Sequence, residues 1–230
     1  MRLFLFDIDG TLVRARGAGR AAIHRALEAT YGTAGPIDSY DFRGKTDPRI
    51  VYDLMAAAGL PETTVTAGLP ACFEQYVREL DRVIGDGSRV DVMPGVAEIV
   101  RALSVRADAV VGLLTGNIEA GARVKLRPTG LWPYFRVGAF GSDDADRRRL
   151  PAVACARAHA LLGHEFPFER VTIIGDTPLD VDCARACGAV AVAVATGFHP
   201  ADELQACAPD LLFVDFSDVP ATLAALTAPR

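Results

Sequence analysis

Two aspartates separated by one residue close the apolar run that opens the chain, where Leu3-Phe4-Leu5-Phe6 leads into Asp7-Ile8-Asp9-Gly10-Thr11. In an extended chain, side chains at i and i+2 project to the same side. Two carboxylates held that way repel unless a cation lies between them or one keeps a proton. Further polar clusters follow other apolar runs. Thr115-Gly116-Asn117 comes after residues 109–114, and Gly175-Asp176-Thr177-Pro178-Leu179-Asp180 comes after residues 171–174. Between them, "GSDDADRRRLP" turns from acidic to basic as a helix opens. Asp7, Asp9 and Asp176 offer hard oxygen donors to a small divalent cation, and Mg²⁺ suits few carboxylates, waters and a phosphate oxygen. Thr115 and the Gly116 amide suit anionic oxygens at a helix N-terminus. One of Arg147, Arg148 and Arg149 adds a fixed positive charge. Such a set fits a dianionic tetrahedral group.

The elements that must bring these clusters together are short apolar runs. Residues 3–6, 109–114, 171–174, 189–195 and 211–214 read as buried parallel strands, each ending in a turn or polar cluster. Helical spacing marks residues 94–103, "LPAVACARAHALLG" and "DVDCARACG", the last two stopping at glycine. Strand and helix in alternation predict a doubly wound α/β fold with a parallel sheet. In such sheets functional groups gather at the carboxyl ends of the strands, near the point where strand order reverses. Residues 14–91 break the rhythm with three amphipathic segments and no buried strand, although a crossover needs only about a dozen residues. "RAAIHRALEATYG", "PRIVYDLMAAAGL" and "ACFEQYVRELDRVI" predict a small helical domain inserted after the first strand.

Composition narrows the function classes. The chain has 230 residues, 50% hydrophobic and 23% charged, which fits a globular core rather than a disordered segment. A net charge of -5 argues against a nucleic-acid partner, which calls for a basic patch or stripe. Cys72, Cys155, Cys183, Cys187 and Cys207 form no C-x-x-C pair and read as free buried thiols. The N-terminus is too acidic and too short in apolar length for a signal peptide, and no run approaches the roughly 18 apolar residues of a membrane span. The expectation is a soluble, cytoplasmic protein with no membrane partner. Oligomeric state leaves no mark in the sequence.

The segments "FDIDGTLV", "LLTGN", the basic residues before "LPAVA" and "IIGDTPLD" resemble, in order, the four motifs of the haloacid dehalogenase-like hydrolase superfamily, in its phosphatase branch. The resemblance covers the chain outside the insert. It implies that Asp7 is a nucleophile forming an aspartyl-phosphate. It makes Asp9 the general acid for the leaving alcohol and then the base for water. Mg²⁺ would be held by the Asp7 carboxylate, the Asp9 main-chain carbonyl and Asp176. Thr115, Gly116 and a basic residue would hold the phosphoryl oxygens, with Asn117 adding a hydrogen bond nearby. Asp180 would orient waters or the metal ligands. The third motif departs from the usual lysine-proline. Arg147 is assigned its role because it lies just before the helix, while Arg148 and Arg149 face solvent in its first turn. An arginine there grips oxygens with a planar fork, where lysine acts as a point charge.

By the same resemblance residues 14–91 match a helical cap, leaving 1–13 and 92–230 as the hydrolase core. "DFRGKTDPRI" resembles the cap segment of some family phosphatases, so Arg43 and Lys45 are candidates to meet a substrate carboxylate or phosphate. The plain alternative is a solvated turn with Asp47 capping the next helix. Arg14 and Arg16 in "RARGAG" are a second pair of candidates. The leading expectation is a Mg²⁺-dependent phosphatase for a small phosphorylated metabolite. Phosphoglycolate, sugar phosphates and nucleoside monophosphates all fit such a core. A phosphosugar mutase of the beta-phosphoglucomutase type ranks second, because His24 is not at the spacing its cap histidine requires. A phospho-aspartate signalling domain ranks below it, since signalling needs neither the insert nor an acid at Asp9. "GKT" at residues 44–46 is not a nucleotide loop, because Ser39 stands where its first glycine belongs and no strand precedes it.

Overall fold

The computed structural model describes residues 1–229. In chain order its strands and helices begin with β1 (Arg2–Phe6), β2 (Val13–Arg14), α1 (Ala18–Tyr31), α2 (Asp47–Ala57), α3 (Glu62–Ile84) and β3 (Asp91–Val92). They continue with α4 (Val96–Ser104), β4 (Ala109–Thr115), α5 (Glu119–Leu126), β5 (Val137–Phe140), α6 (Leu150–Leu162) and β6 (Val171–Gly175). Last come α7 (Pro178–Cys187), β7 (Val190–Val194), α8 (Ala201–Ala206), β8 (Leu211–Phe213) and α9 (Val219–Thr227).

Six strands form one parallel sheet in the order β5-β4-β1-β6-β7-β8. The fold is the expected doubly wound α/β architecture. β1 is central, and strand order runs outward from it in both directions, so the switch point lies at its carboxyl end. Alternation along β1 shows why the run is apolar throughout. Phe4 and Phe6 join the cluster holding Ile99, Leu103 and Phe216, while Leu3 and Leu5 join the cluster holding Leu150, Ala154 and Ala184. A strand buried on both faces has no room for a polar alternate.

All five strands read from sequence agree with the structure to within a residue at each end, the 189–195 run being one residue shorter at both, as Val190–Val194. β5 was not anticipated: its four residues, Val-Gly-Ala-Phe, are too few and too small to stand out as a run. The insert differs in detail. α3 begins at Glu62, nine residues before the expected segment, and carries Pro70 inside it. Its first half, Glu-Thr-Thr-Val-Thr-Ala-Gly, lacks an apolar stripe, and only Val65 there is buried. α1, α2 and α3 share a third hydrophobic cluster built from Ile23, Leu27, Leu54, Cys72, Tyr76 and Leu80. β2 and β3 pair antiparallel where the chain leaves and re-enters the sheet layer, a ribbon of two residues per strand too short to read from sequence.

The five thiols are unpaired, but only Cys72 and Cys183 are buried, and Cys155, Cys187 and Cys207 are half-buried. That corrects the expectation that all five lie inside. Burial pushes the Cys183 thiol up to about 12. Among the described residues no helix is long and apolar enough to cross a membrane.

Candidate active site

The carboxyl ends of β1, β4 and β6 open into a pocket of about 850 Å³ whose other wall is the insert. Asp7, Asp9, Thr115, Gly116, Asn117, Arg147, Asp176, Arg43 and Lys45 all line it, and Asp180 lies directly behind. Parallel pairing of β1 with both β4 and β6 is what brings residues 7, 115 and 176 to one edge.

Asp7 follows β1 immediately and its amide bonds the Ile174 carbonyl at 2.9 Å, which continues the pairing with β6. Its carboxylate is buried, with Oδ1 3.2 Å from Nη2 of Arg147. Arg147 is itself buried. Its Nη2 also donates to Asp180 Oδ1, and its Nη1 donates to the Gly44 carbonyl at 3.0 Å. Arg148 and Arg149 are exposed and pair with Asp146 and Asp144. One arginine of the three therefore reaches the aspartates. Asp180 accepts from the Thr177 amide and hydroxyl at 3.0 and 2.7 Å, fixing the first turn of α7 while facing Arg147.

Asp7, Asp176 and Asp180 present one carboxylate oxygen each within 4.8 Å of one another, all buried. Burial pushes the Asp7 carboxyl up to about 6, opposed by the Arg147 guanidinium and helped by Asp180 and Asp9. Burial likewise holds Asp176 well above the ordinary carboxylate range, with Asp180 and Asp7 adding to the effect. Three buried carboxylates face one guanidinium, an imbalance that a hard divalent cation corrects. The donor set fits such an ion. Asp180 enters this cluster by its side chain; the Asp9 side chain does not.

Thr11, which had no part in the sequence expectations, donates its hydroxyl to Asp176 Oδ1 at 3.0 Å. Gly10 lets that loop pass so near. Its φ of +83° suits glycine, and a Cβ there would collide with the Asp176 carboxylate.

Asp9 has partners of its own. Its Oδ2 accepts from Lys125 Nζ at 2.5 Å and from Asn117 Nδ2 at 2.8 Å. Asn117 Nδ2 also reaches Thr115 Oγ1 at 2.8 Å, so its amide ties Asp9 to the end of β4 rather than standing alone beside a phosphate. The two aspartates of the first cluster thus lean on different cations, Arg147 for Asp7 and Lys125 for Asp9. The sequence expectation was a bound metal offsetting their repulsion; the structure adds a cation of the chain's own beside each carboxylate. Lys125 lies in α5, an unremarkable charged helix by pattern. The available signal was its rarity: lysine occurs only at positions 45 and 125 in a chain with 24 Lys and Arg together.

The insert side of the pocket is cationic but already paired. Arg43 makes a two-point contact with Asp41 through Nε and Nη2 at 2.8 and 2.9 Å. Lys45 sits 4.0 Å over the Tyr40 ring and 3.6 Å from Asp53. Arg16 pairs with Asp91, and Arg14 donates to the Thr196 carbonyl at 2.9 Å. Asp47 begins α2, as expected, but the side chain that caps the helix is Thr46, which accepts from the Arg49 amide at 3.3 Å. Asp47 instead accepts from the Ile118 amide at 2.8 Å, and its own amide donates to the Gly116 carbonyl at 2.7 Å. A Cβ at Gly116 would run into the Lys45 carbonyl, so the second cluster needs glycine where the insert presses on it.

A family model described as haloacid dehalogenase-like hydrolase matches residues 4–185. The chain is 29% identical over 220 residues to a phosphoglycolate phosphatase of Synechococcus elongatus, covering 95% of both proteins. It is 28% identical over 226 residues to a phosphoglycolate phosphatase of Rhodospirillum rubrum, covering 94% of this chain and 88% of that one. A hydrolase from Pseudomonas syringae superposes with a TM-score of 0.75 at 19% identity, over 99% of this chain and 100% of the other. CbbY from Rhodobacter sphaeroides, solved with phosphate, superposes at 0.71 and 19% identity, over 95% and 96%. These structures share the fold. On the match over residues 4–185 and the two phosphatase relatives, the chain belongs to the haloacid dehalogenase-like hydrolase family, in its phosphatase branch.

Proposed function

We propose that the chain is a Mg²⁺-dependent phosphatase that hydrolyses a small phosphorylated metabolite through an aspartyl-phosphate on Asp7. The observation that supports this best is the separation of roles around two neighbouring carboxylates. Asp7 is buried against Arg147, and Asp9 stands half-exposed with one oxygen held by Lys125 and Asn117. Nucleophile and acid need different surroundings, and these two have them.

Asp7 Oδ attacks phosphorus, the bond from phosphorus to the leaving oxygen breaks, and a proton from Asp9 goes to that oxygen. Water then attacks the same phosphorus, Asp9 takes its proton, and the bond to Asp7 breaks to release inorganic phosphate. Arg147, Thr115 and the Gly116 amide hold the phosphoryl oxygens as charge spreads over them. Mg²⁺ would be held by the carboxylates of Asp7 and Asp176 and the Asp9 carbonyl, with Asp180 beside them. When bound it neutralises phosphate charge and aligns the phosphoryl group with the nucleophile.

Residues 14–91 act in this reading as a cap over a core made of 1–13 and 92–230, and Arg43 and Lys45 offer their charges to the part of the substrate beyond the phosphate. The two phosphatase relatives make phosphoglycolate the first compound to try. The test is release of inorganic phosphate from p-nitrophenyl phosphate and phosphoglycolate, with and without Mg²⁺, for the parent and Asp7→Asn. Metal-dependent turnover that drops on the order of 10⁴-fold or more in the variant is expected. Phosphate moved between two positions of a sugar with none released would make the protein a mutase instead.

A further inference from the structure

Lys125 is the best-buried cation facing the pocket that the reaction above leaves without a task. Its side chain is 6% exposed, against 45% for the Asp9 side chain it meets. Burying an ammonium is costly unless its donors are satisfied. Here they go to Asp9 Oδ2 at 2.5 Å and Asn117 Oδ1 at 2.6 Å. Asn117 in turn donates to the same Oδ2 at 2.8 Å and to Thr115 Oγ1. The insert closes over the group. A Cβ on Gly19 of α1 would lie 3.4 Å from Nζ and 3.9 Å from the Tyr76 hydroxyl of α3. Lys125 thus stands where core and insert meet, bonded directly to the Asp9 carboxylate and with the Asp47 carboxyl near enough to feel its charge.

The asymmetry of that contact carries the inference. Both described donors to Asp9 fall on Oδ2, and none falls on Oδ1. A carboxyl group gripped at one oxygen cannot spin about its own axis, so the other oxygen keeps a fixed direction. We propose that Lys125 is a positioning residue that clamps Oδ2 of Asp9 and so aims Oδ1 at the leaving oxygen of the substrate. This rests on the reading of Asp9 as the acid given above. The ungripped oxygen carries the proton out in the first step and receives one from water in the second. A free carboxylate on an exposed loop samples several rotamers, and an error near 1 Å at the transferring atom costs much of the rate.

The test compares kcat/KM along a series of phosphate esters without carboxylates, from p-nitrophenyl phosphate through phenyl phosphate to an alkyl phosphate. A good leaving group departs without a proton; a poor one does not. Lys125→Met is expected to lower kcat/KM about 100-fold on the alkyl ester and about 3-fold on p-nitrophenyl phosphate, the span general acid catalysis commands. The double variant with Asp9→Asn should be no slower than Asp9→Asn alone, because residues acting through one another do not add. An equal loss on every ester, or additive losses, overturns the proposal while Asp9→Asn itself still shows the steep dependence. A flat dependence in Asp9→Asn overturns this proposal and the acid role together. Lys125→Gln, which keeps an N–H donor without the charge, serves in the same comparison if Lys125→Met does not fold by circular dichroism.

Discussion

The floor of the pocket and its roof both carry dense charge, yet they treat it in opposite ways. On the floor, Asp7, Asp176, Asp180 and Arg147 are buried, and their partners come from β1, β6, α7 and the turn before α6. In the roof, Arg43 pairs with Asp41 two residues away and Lys45 with Asp53 of α2, all at least a quarter exposed. Exposed pairs are worth roughly 0–1 kcal/mol and exchange partners easily. Buried ones hold a fixed geometry because breaking them strands a charge. In the proposed reading, chemistry that must happen the same way each time is built on strand ends, and recognition that must adapt is built from side chains that can let go.

Removing Arg147 tests the floor hardest. Arg147→Ala leaves Asp7 and Asp180 buried without their shared cation. Unfolding in urea should show a loss of about 3–5 kcal/mol. Phosphatase activity should fall on the order of 10²–10³-fold as a preorganised donor disappears. Arg147→Lys should recover part of the stability and less of the rate, because an ammonium lacks the planar fork that meets both carboxylates with one nitrogen and the Gly44 carbonyl with the other. A loss under about 1 kcal/mol for the alanine variant would mean that floor charges are as replaceable as those of the roof.

Asp47 sharpens the contrast, since it belongs to the insert and is nevertheless buried against the floor. It accepts from the Ile118 amide, and burial pushes its carboxyl up to about 6 despite the nearby Lys125 charge. The folded carboxyl therefore keeps its proton to higher pH than the unfolded one. Its contribution to stability is complete below about pH 4 and is lost as pH rises toward about 6. Asp47→Asn keeps an acceptor for Ile118 and never ionises. Denaturant curves across that range should show the variant gaining on the parent with rising pH, by on the order of 1–3 kcal/mol, and levelling above it. A gap independent of pH would put Asp47 with the solvated roof charges.

The same contrast governs what could be read from sequence. Apolar runs such as Leu3–Phe6 and Val171–Gly175 announce themselves because strands buried on both faces are nearly all apolar, and the clusters after them follow from the switch-point rule. Those clusters supplied Asp7, Asp9, Thr115 and Asp176, and the structure brings them together. Lys125 left no signal in the local pattern, only in the rarity of lysine, for a physical reason. A buried lysine on a helix written Glu-Ala-Gly-Ala-Arg-Val-Lys-Leu looks like a solvated one until its neighbours in space are known. The short β5 and the polar first half of α3 escaped notice because neither carries a periodic apolar face.

The mildest expected effect belongs to the roof cations themselves. Lys45→Ala should raise KM for phosphoglycolate about 3–10-fold and leave kcat unchanged, the mark of a contact equally strong before and during the reaction. Arg43→Ala should do less, because Arg43 must first give up the two-point contact with Asp41. Neither should disturb p-nitrophenyl phosphate, whose aryl group offers no anion to the roof. Lys45 is the better placed of the two, since its ammonium lies over the Tyr40 ring and Asp53 at 3.6 Å is only a loose partner. Should kcat fall with either change, the roof would be taking part in the chemical step, and the division between a rigid floor and an adaptable roof would have to move to the far side of α2.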